Sequence, residues 1–343
     1  MNILQMVRRK RRLSKQPKLF LHIGMNKTGT SVIQHVLSAN RAELANRGLL
    51  YPDLKDGQVA HYAISDMLGF TLGKAGKSPQ SAEIDQLKQK LVRQIDAQAF
   101  SDTVISSEFF VVPRNIDAVK TLFADFDCRI VIYLRRHDHW WAAVYNQAVK
   151  TVADPPWRRG VEAFLRFHRK TNPLYGDYRH LVERWANVFG EQNILVRPYE
   201  TQQNKPNIVA DFLDTIGRPE LASLLDKEAP RINESLSANH VYLIDILQRS
   251  KIAPEVRAQL IRYVLQHVEP SDEDGFIPPP LRRQLVDDNA GDYAYIARNF
   301  MGRENGELFL EPLPDPDAPW EVPHHPRYME VVELLTAALR PDW

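Results

Sequence analysis

The chain has 343 residues, 44% hydrophobic and 25% charged, with a formal net charge of +1, the profile of a globular protein large enough for one broad domain or two small ones. The charge is uneven: residues 1–18 hold Arg8, Arg9, Lys10, Arg11, Arg12, Lys15 and Lys18 and no acid, so the rest of the chain is net acidic, which argues against a body built to bind nucleic acid. A single cysteine, Cys128, excludes an intrachain disulfide and a cysteine-rich metal site, and it fits a reducing cytoplasm.

Residues 1–17 are expected to form a flexible basic arm. Their charges follow a short MNILQMV instead of preceding an apolar stretch, which is not the pattern of a secretory leader. No apolar run approaches the roughly 20 residues of a membrane helix. Peripheral contact of the arm with an anionic membrane or polymer is the alternative to a frayed terminus.

Five apolar runs predict strands: KLFLHIG (18–24), GLLYP (48–52), DTVISSE (102–108), CRIVIYLR (128–135) and NILVRPY (193–199). Helical spacing lies between most of them. The first helix is expected to begin near Thr30, to turn Val32, Ile33, Val36 and Leu37 to one side, and to stop before Gly48. Others are expected over 84–98, 139–150 and 178–190. Beyond about residue 215 the strand signal fades, and helices are expected at 239–250, 254–268 and 327–339, with the proline-rich 312–326 as an extended loop. Strands alternating with helices predict an α/β fold: a central parallel sheet of about five strands flanked by helices, with a mainly helical C-terminal region. The core is placed at 18–220 and the helical region, 221–343, packed on it. Ligands of such sheets sit at the carboxyl ends of the strands.

The stretch GMNKTGTS (24–31) joins the first strand to the first helix. An NTPase phosphate loop has a lysine directly after its second glycine, followed by a hydroxyl that holds Mg²⁺. Here Gly24 and Gly29 have the right spacing, but Thr30 occupies the lysine position and Lys27 lies inside the loop. Backbone N–H groups and the helix N-terminus still suit a phosphate. Thr28, Thr30 and Ser31 add hydroxyls, and Lys27 supplies a lone cation in place of a metal–triphosphate clamp.

HIGMNKTGTSVIQ resembles the first motif of sulfotransferases that use 3′-phosphoadenosine 5′-phosphosulfate (PAPS), in the form found in bacterial and glycan enzymes. The resemblance implies that Asn26, Lys27, Thr28, Gly29, Thr30 and Ser31 hold the 5′-phosphate without metal, and that Lys27 neutralises the bridging oxygen as the S–O bond breaks. The second motif, a strand ending in arginine, is carried by IVIYLRRHDHWWAAVYNQ and implies that Arg135 binds the 3′-phosphate. The family's serine eight residues later is Ala143 here. Arg136 is expected to be a surface charge. NILVRPYETQ, followed by the helical NIVADFLDTIG (207–217), resembles the region in which a tyrosine lies near the adenine, so Tyr199 is assigned either to the base pocket or to core packing. RINESLSANH (231–240) and YIARNFMGRENGELF (295–309) extend the likeness.

Sulfuryl transfer also needs a base for the acceptor's proton. Related enzymes place it after the third strand, which makes Glu108 the first candidate and His61, in GQVAHYAISDML, the second. His137 and His139 are expected to line a helix start, and the adjacent His324–His325 lack the spacing of a helical zinc pair, so no metal is assigned. Trp140, Trp141, Trp157, Tyr175 and Tyr178 suit stacking on an acceptor or a core equally. The implied activity is sulfuryl transfer from PAPS to a hydroxyl or amine, with a carbohydrate the leading acceptor. A phosphate-loop kinase, or a nucleotide-binding protein without catalysis, are the alternatives.

Overall fold

The structure, a computed structural model, describes residues 17–54, 57–70, 81–98, 102–112, 116–225, 235–271, 275–320, 331–333 and 335–336. The basic arm up to residue 16, His324–His325 and most of the helix expected at 327–339 lie outside the described residues.

All five expected strands are present with slightly shifted ends: β1 (Lys18–His22), β2 (Leu49–Leu50), β3 (Asp102–Ser106), β4 (Asp127–Leu134) and β5 (Ile194–Pro198). They form one parallel sheet in the order β2-β3-β1-β4-β5. β1 is buried from Leu19 to His22, and β4 from Ile130 to Leu134, as strands covered on both faces must be. The chain leaves β1 for one edge of the sheet, returns through β3 and crosses to β4. The strand order therefore reverses beside β1, and the crevice of a doubly wound sheet opens at that point, at the carboxyl ends.

The helices are α1 (Thr30–Ala39), α2 (Arg41–Asn46), α3 (Tyr62–Met67), α4 (Ser81–Gln98), α5 (Asp117–Leu122), α6 (His137–Thr151), α7 (Val161–Thr171), α8 (Tyr178–Phe189), α9 (Ile208–Thr215), α10 (Ala238–Gln248), α11 (Pro254–His267), α12 (Pro279–Asp287) and α13 (Ala290–Met301). The single helix expected from Thr30 to before Gly48 is two. Asn40 leaves helical geometry at φ −106°, ψ 21°, and both its backbone N–H and its Nδ2 donate to Val36 O, at 3.2 and 2.8 Å. An asparagine that competes for the backbone in this way ends the first segment. Among the described residues no helix is long and apolar enough to cross a membrane.

The chain divides into two compact units. The first comprises Met1–Arg135, Tyr178–Ile232 and Gly291–Glu311; the second comprises Arg136–Asp177, Asn233–Ala290 and Pro312–Trp343. The chain enters and leaves each unit more than once. Periodicity reveals that a helix has an apolar face, but not which element covers it. In the first unit Phe20, Val131 and Tyr133 of the sheet pack with Ile33 and Leu37 of α1 and with Phe212 and Leu213 of α9.

The second unit holds an aromatic cluster. Trp140, Trp141 and Trp157 are all buried; Tyr175 lies with its ring 5.1 Å from that of Trp140, and Trp157 lies 5.0 Å from Phe164. Tyr178, in the first unit, is also buried and donates its hydroxyl to Arg135 O at 2.6 Å. The four buried side chains are core, and Tyr175 packs against that core, so they do not form the stacking surface considered for an acceptor. Large aromatics serve both purposes, and composition does not separate them.

Arg136 is likewise not a surface charge. It is 5% exposed and grips Asp138, itself fully buried, through Nε–Oδ1 at 2.8 Å and Nη2–Oδ2 at 3.0 Å, while Arg282 Nη2 reaches Oδ2 at 3.1 Å. Burial alone would raise the Asp138 pKa. The Arg136 hydrogen bond and the charges of His139, Arg136 and Arg282 outweigh it and hold the carboxyl below its usual value. Asp138 therefore stabilises the fold above the ordinary carboxylate range and loses that contribution as pH falls through its depressed value. Removing one partner of a buried pair typically costs ~3–5 kcal/mol, and Arg136→Ala should lower the unfolding free energy on that scale in a denaturant titration at neutral pH. A loss below about 1 kcal/mol would show that Arg282 suffices alone.

Candidate functional site

The residues that follow the strands gather at the carboxyl edge of the sheet. The 24–29 loop follows β1, Glu108 follows β3, Arg135 follows β4 and Tyr199 follows β5, all in the first unit. The register aligns these ends: His22 pairs with Ser106 and with Val131, and Leu134 pairs with Pro198. Tyr199 N continues the sheet by donating to Leu134 O at 2.6 Å.

Three residues of the loop are left-handed: Gly24 at φ 58°, Lys27 at φ 67° and Gly29 at φ 75°. Such turns curl the chain so that successive N–H groups point to one side, the geometry of an anion nest. For Lys27 the conformation is strained, of order 1–3 kcal/mol, and strain of this kind gathers at functional sites. The strained residue is the lysine that sequence places out of register with an NTPase loop. The surroundings hold it there. Thr28 Oγ1 donates to Met25 O at 2.5 Å and accepts from Met25 N at 3.3 Å, Thr30 Oγ1 lies 3.4 Å from Met25 O, and Arg135 Nη1 donates to Lys27 O at 3.2 Å.

The hydroxyls of Thr28 and Thr30 thus point into the loop, where both residues are buried, and serve as braces; their backbone N–H groups are what they can offer an anion. Ser31 is half-buried in the first turn of α1, where helical N–H groups have no intrahelical acceptor. Asn26 and Lys27 are half-buried at the turn itself.

Tyr199 is part of the same cluster. A Cβ on Gly29 would lie 2.8 Å from Tyr199 Cε2 and 3.2 Å from Ile208 Cγ1, so only glycine lets the ring close on the loop backbone. The Arg135 guanidinium lies 5.4 Å from the centroid of the Tyr199 ring, a cation–π distance. Loop, Arg135 and Tyr199, assigned separately from three stretches of sequence, are in mutual contact.

Glu108 opens a short 3₁₀ turn, Glu108–Val111, and is half-buried. A Cβ on Gly24 would lie 3.5 Å from Glu108 Cβ, so the carboxylate side chain starts beside the loop. Both of its oxygens are engaged: Tyr62 OH donates to Oε1 at 2.7 Å and Gln34 Nε2 to Oε2 at 3.1 Å. Gln34 Nε2 also reaches Ser106 Oγ at 3.1 Å, and Ser106 Oγ meets the buried His22 Nδ1 at 2.9 Å. Gln34 and Tyr62 escape the sequence reading. Gln34 does leave a trace, as a polar residue on the apolar side of α1 between Ile33 and Leu37.

His61 is not placed to act as a base. Ser106 N–H donates to its Nδ1 at 2.9 Å, so the proton sits on Nε2, which donates to Pro52 O at 2.9 Å; His61 N–H donates to Ser106 O at 2.8 Å. The ring is buried with both nitrogens occupied, and burial, aided by the charge of Arg41 and opposed by the bond to Pro52, lowers its pKa to about 4. It is a clasp between β3 and the chain after β2. His137, expected at a helix start, is the first residue of α6, where its Nε2 meets Gly176 O at 2.7 Å; His139 lies half-buried in the same turn.

Together these residues bring the loop amides, Lys27 and Arg135 close to one another, with a carboxylate held alongside. Among the described residues no group of three or more His, Cys, Asp or Glu is arranged to hold a metal ion. No family model matches the chain. Over 180 residues, 48% of this chain, it is 28% identical to an uncharacterized protein of Archaeoglobus fulgidus, and the match covers 43% of that relative, so the chain spans less than half of the relative's length. Among solved structures it is similar to a sulfotransferase from Alicyclobacillus acidocaldarius, with 16% identity, a TM-score of 0.44, and coverage of 83% of this chain and 96% of the other. What the site can do follows from its own geometry.

The His61 clasp has a pH consequence. The folded state favours the neutral ring, so the unfolded chain takes up the proton first, near 6.5. Stability from this group is therefore full above that value and falls as pH drops toward about 4, by on the order of 3 kcal/mol. Unfolding free energies at pH 7 and 4.5 should differ less in His61→Gln than in the wild type. An unchanged difference would mean that His61 is not the titrating clasp.

Proposed function

We propose that this protein transfers a sulfuryl group from PAPS to a hydroxyl or amine of an acceptor, with a carbohydrate as the leading acceptor class. One observation carries the reading: Lys27, left-handed inside the Gly24–Gly29 loop, shares a contiguous cluster with Arg135 and Tyr199, and Glu108 starts beside that loop. In this mechanism the loop amides and Lys27 hold the 5′-phosphate, Arg135 the 3′-phosphate, and Tyr199 flanks the adenine. The acceptor oxygen attacks sulfur as its proton passes to Glu108. The S–O bond to the phosphate breaks, and adenosine 3′,5′-bisphosphate leaves with its new charge facing Lys27. The donor needs no metal in this scheme. Thr30, in the place of the NTPase lysine, turns its hydroxyl toward Met25 O, which favours sulfuryl over phosphoryl transfer.

Adenosine 3′,5′-bisphosphate should bind in calorimetry with the same Kd with and without Mg²⁺, and more tightly than ATP. Lys27→Ala should weaken it roughly tenfold or more, the scale of one hydrogen bond to a charged group. Arg135→Ala should weaken this ligand by a clearly larger factor than it weakens adenosine 5′-phosphate. Tighter, Mg²⁺-dependent ATP binding would replace this reading with a kinase.

Glu108→Gln keeps the shape and removes the basicity. Turnover with PAPS should fall ~10²–10⁴-fold, the usual contribution of a positioned base, while the Kd for adenosine 3′,5′-bisphosphate stays within about twofold. Retained turnover in a folded variant would remove Glu108 from the mechanism.

A further inference from the structure

Resting on the assignment of Glu108 as the base, we propose that Gln34 and Tyr62 are positioning residues that fix its carboxylate for proton transfer and tie it to the donor-binding loop.

A glutamate on a half-exposed 3₁₀ turn has three side-chain torsions to fix, and here two donors from separate elements do so. Gln34 belongs to α1, the helix that begins at the loop, one turn beyond Thr30. The same rigid turn therefore carries the loop's N–H groups at its start and the donor to Glu108 Oε2 on its inner face. Gln34 is 2% exposed, and its amide orientation is set twice, because Nε2 faces both the Glu108 carboxylate and Ser106 Oγ. A flipped amide would turn its oxygen toward the carboxylate. Ser106 is in turn buried and held by His22 and by the His61 clasp.

Tyr62 fixes the other oxygen. Its hydroxyl pKa is raised, first by burial and then by the charge and hydrogen bond of Glu108, so it remains a donor at any working pH. Its ring lies 4.8 Å from that of Phe109, the next residue after the base. Tyr62 follows His61 directly and begins α3, so the clasp that removes His61 from consideration as a base is what sets Tyr62 beside Glu108. One donor on each oxygen leaves lone pairs on both, and the carboxylate keeps the capacity to accept the acceptor's proton.

The test is a double-mutant cycle on steady-state sulfuryl transfer from PAPS. Gln34→Met and Tyr62→Phe should each lower kcat by roughly 10- to 100-fold, the scale of one hydrogen bond to a charged group, with the Kd for adenosine 3′,5′-bisphosphate within about twofold. In the Glu108→Gln background the same changes should alter the residual kcat by less than about twofold, because each acts through the carboxylate. The loss should fall on kcat and leave the KM for PAPS within about twofold, because neither residue is assigned to the donor. A structural role would lower activity equally in both backgrounds and move KM along with kcat; that result overturns the proposal. If Gln34→Met fails to fold, Tyr62→Phe, which removes one oxygen from a half-buried ring, decides by the same criteria. Full turnover in Glu108→Gln would overturn the base assignment itself, whereas a large loss there with unchanged Gln34→Met and Tyr62→Phe overturns only this inference.

Discussion

The left-handed turn at Gly24, Lys27 and Gly29 is the constraint on which the rest of the site depends. A parallel strand that ends at a helix N-terminus delivers its chain to the carboxyl edge of the sheet, but a right-handed continuation would close the helix at once. Three positive φ values open the turn. Two are glycines for which no other residue suffices, since a Cβ on Gly24 would lie 2.9 Å from Thr30 Oγ1 and one on Gly29 would lie 2.8 Å from the Tyr199 ring. The third is Lys27, and its strain is offset by the Thr28 and Thr30 braces and by Arg135. The loop's shape is thereby set by its own contacts, and for the proposed anion a preformed loop means less entropy lost on binding.

The same turn links the two halves of the proposed chemistry. Its closing helix, α1, carries Gln34, and its opening glycine packs near Glu108. A displacement of α1 would move the loop amides and the anchor of the Glu108 carboxylate together. For the proposed in-line transfer, the separation between the loop amides and the Glu108 carboxylate matters more than the absolute position of either. Placing both on one helical turn fixes that separation with a single short, rigid element.

Sequence made the sheet legible because parallel strands are buried on both faces and appear as unbroken apolar runs, as LFLHI and IVIYL do here. It made the loop legible because glycine spacing and a lysine are local features. It failed where the answer depends on a distant partner. His61 has the residue type of a base, yet whether its nitrogens are free depends on Ser106 and Pro52, which are 45 and 9 positions away in sequence. The tryptophans of α6 could not be told from a stacking platform, because composition does not record that Phe164 and Tyr175 cover them. Gln34 was hidden for the opposite reason: a single polar residue in an apolar stripe looks like noise until its acceptor, 74 positions on, is known.

Arg135 and Arg136 show the same limit within two residues. Both follow β4 and are chemically identical, and sequence offered only a motif to rank them. Arg135 meets Lys27 O and the Tyr199 ring within the first unit; Arg136 meets the buried Asp138 within the second. Arg136 is consumed by structure: a guanidinium bound in fork geometry to a buried carboxylate, which Arg282 also contacts, has little left for an anion. Arg135 donates to a neutral carbonyl and lies over a ring, interactions that leave its charge uncompensated by any carboxylate described beside it. A cation held in place by neutral partners keeps most of its field for an anion, and this is the physical ground on which 3′-phosphate binding is proposed for Arg135 and not for Arg136.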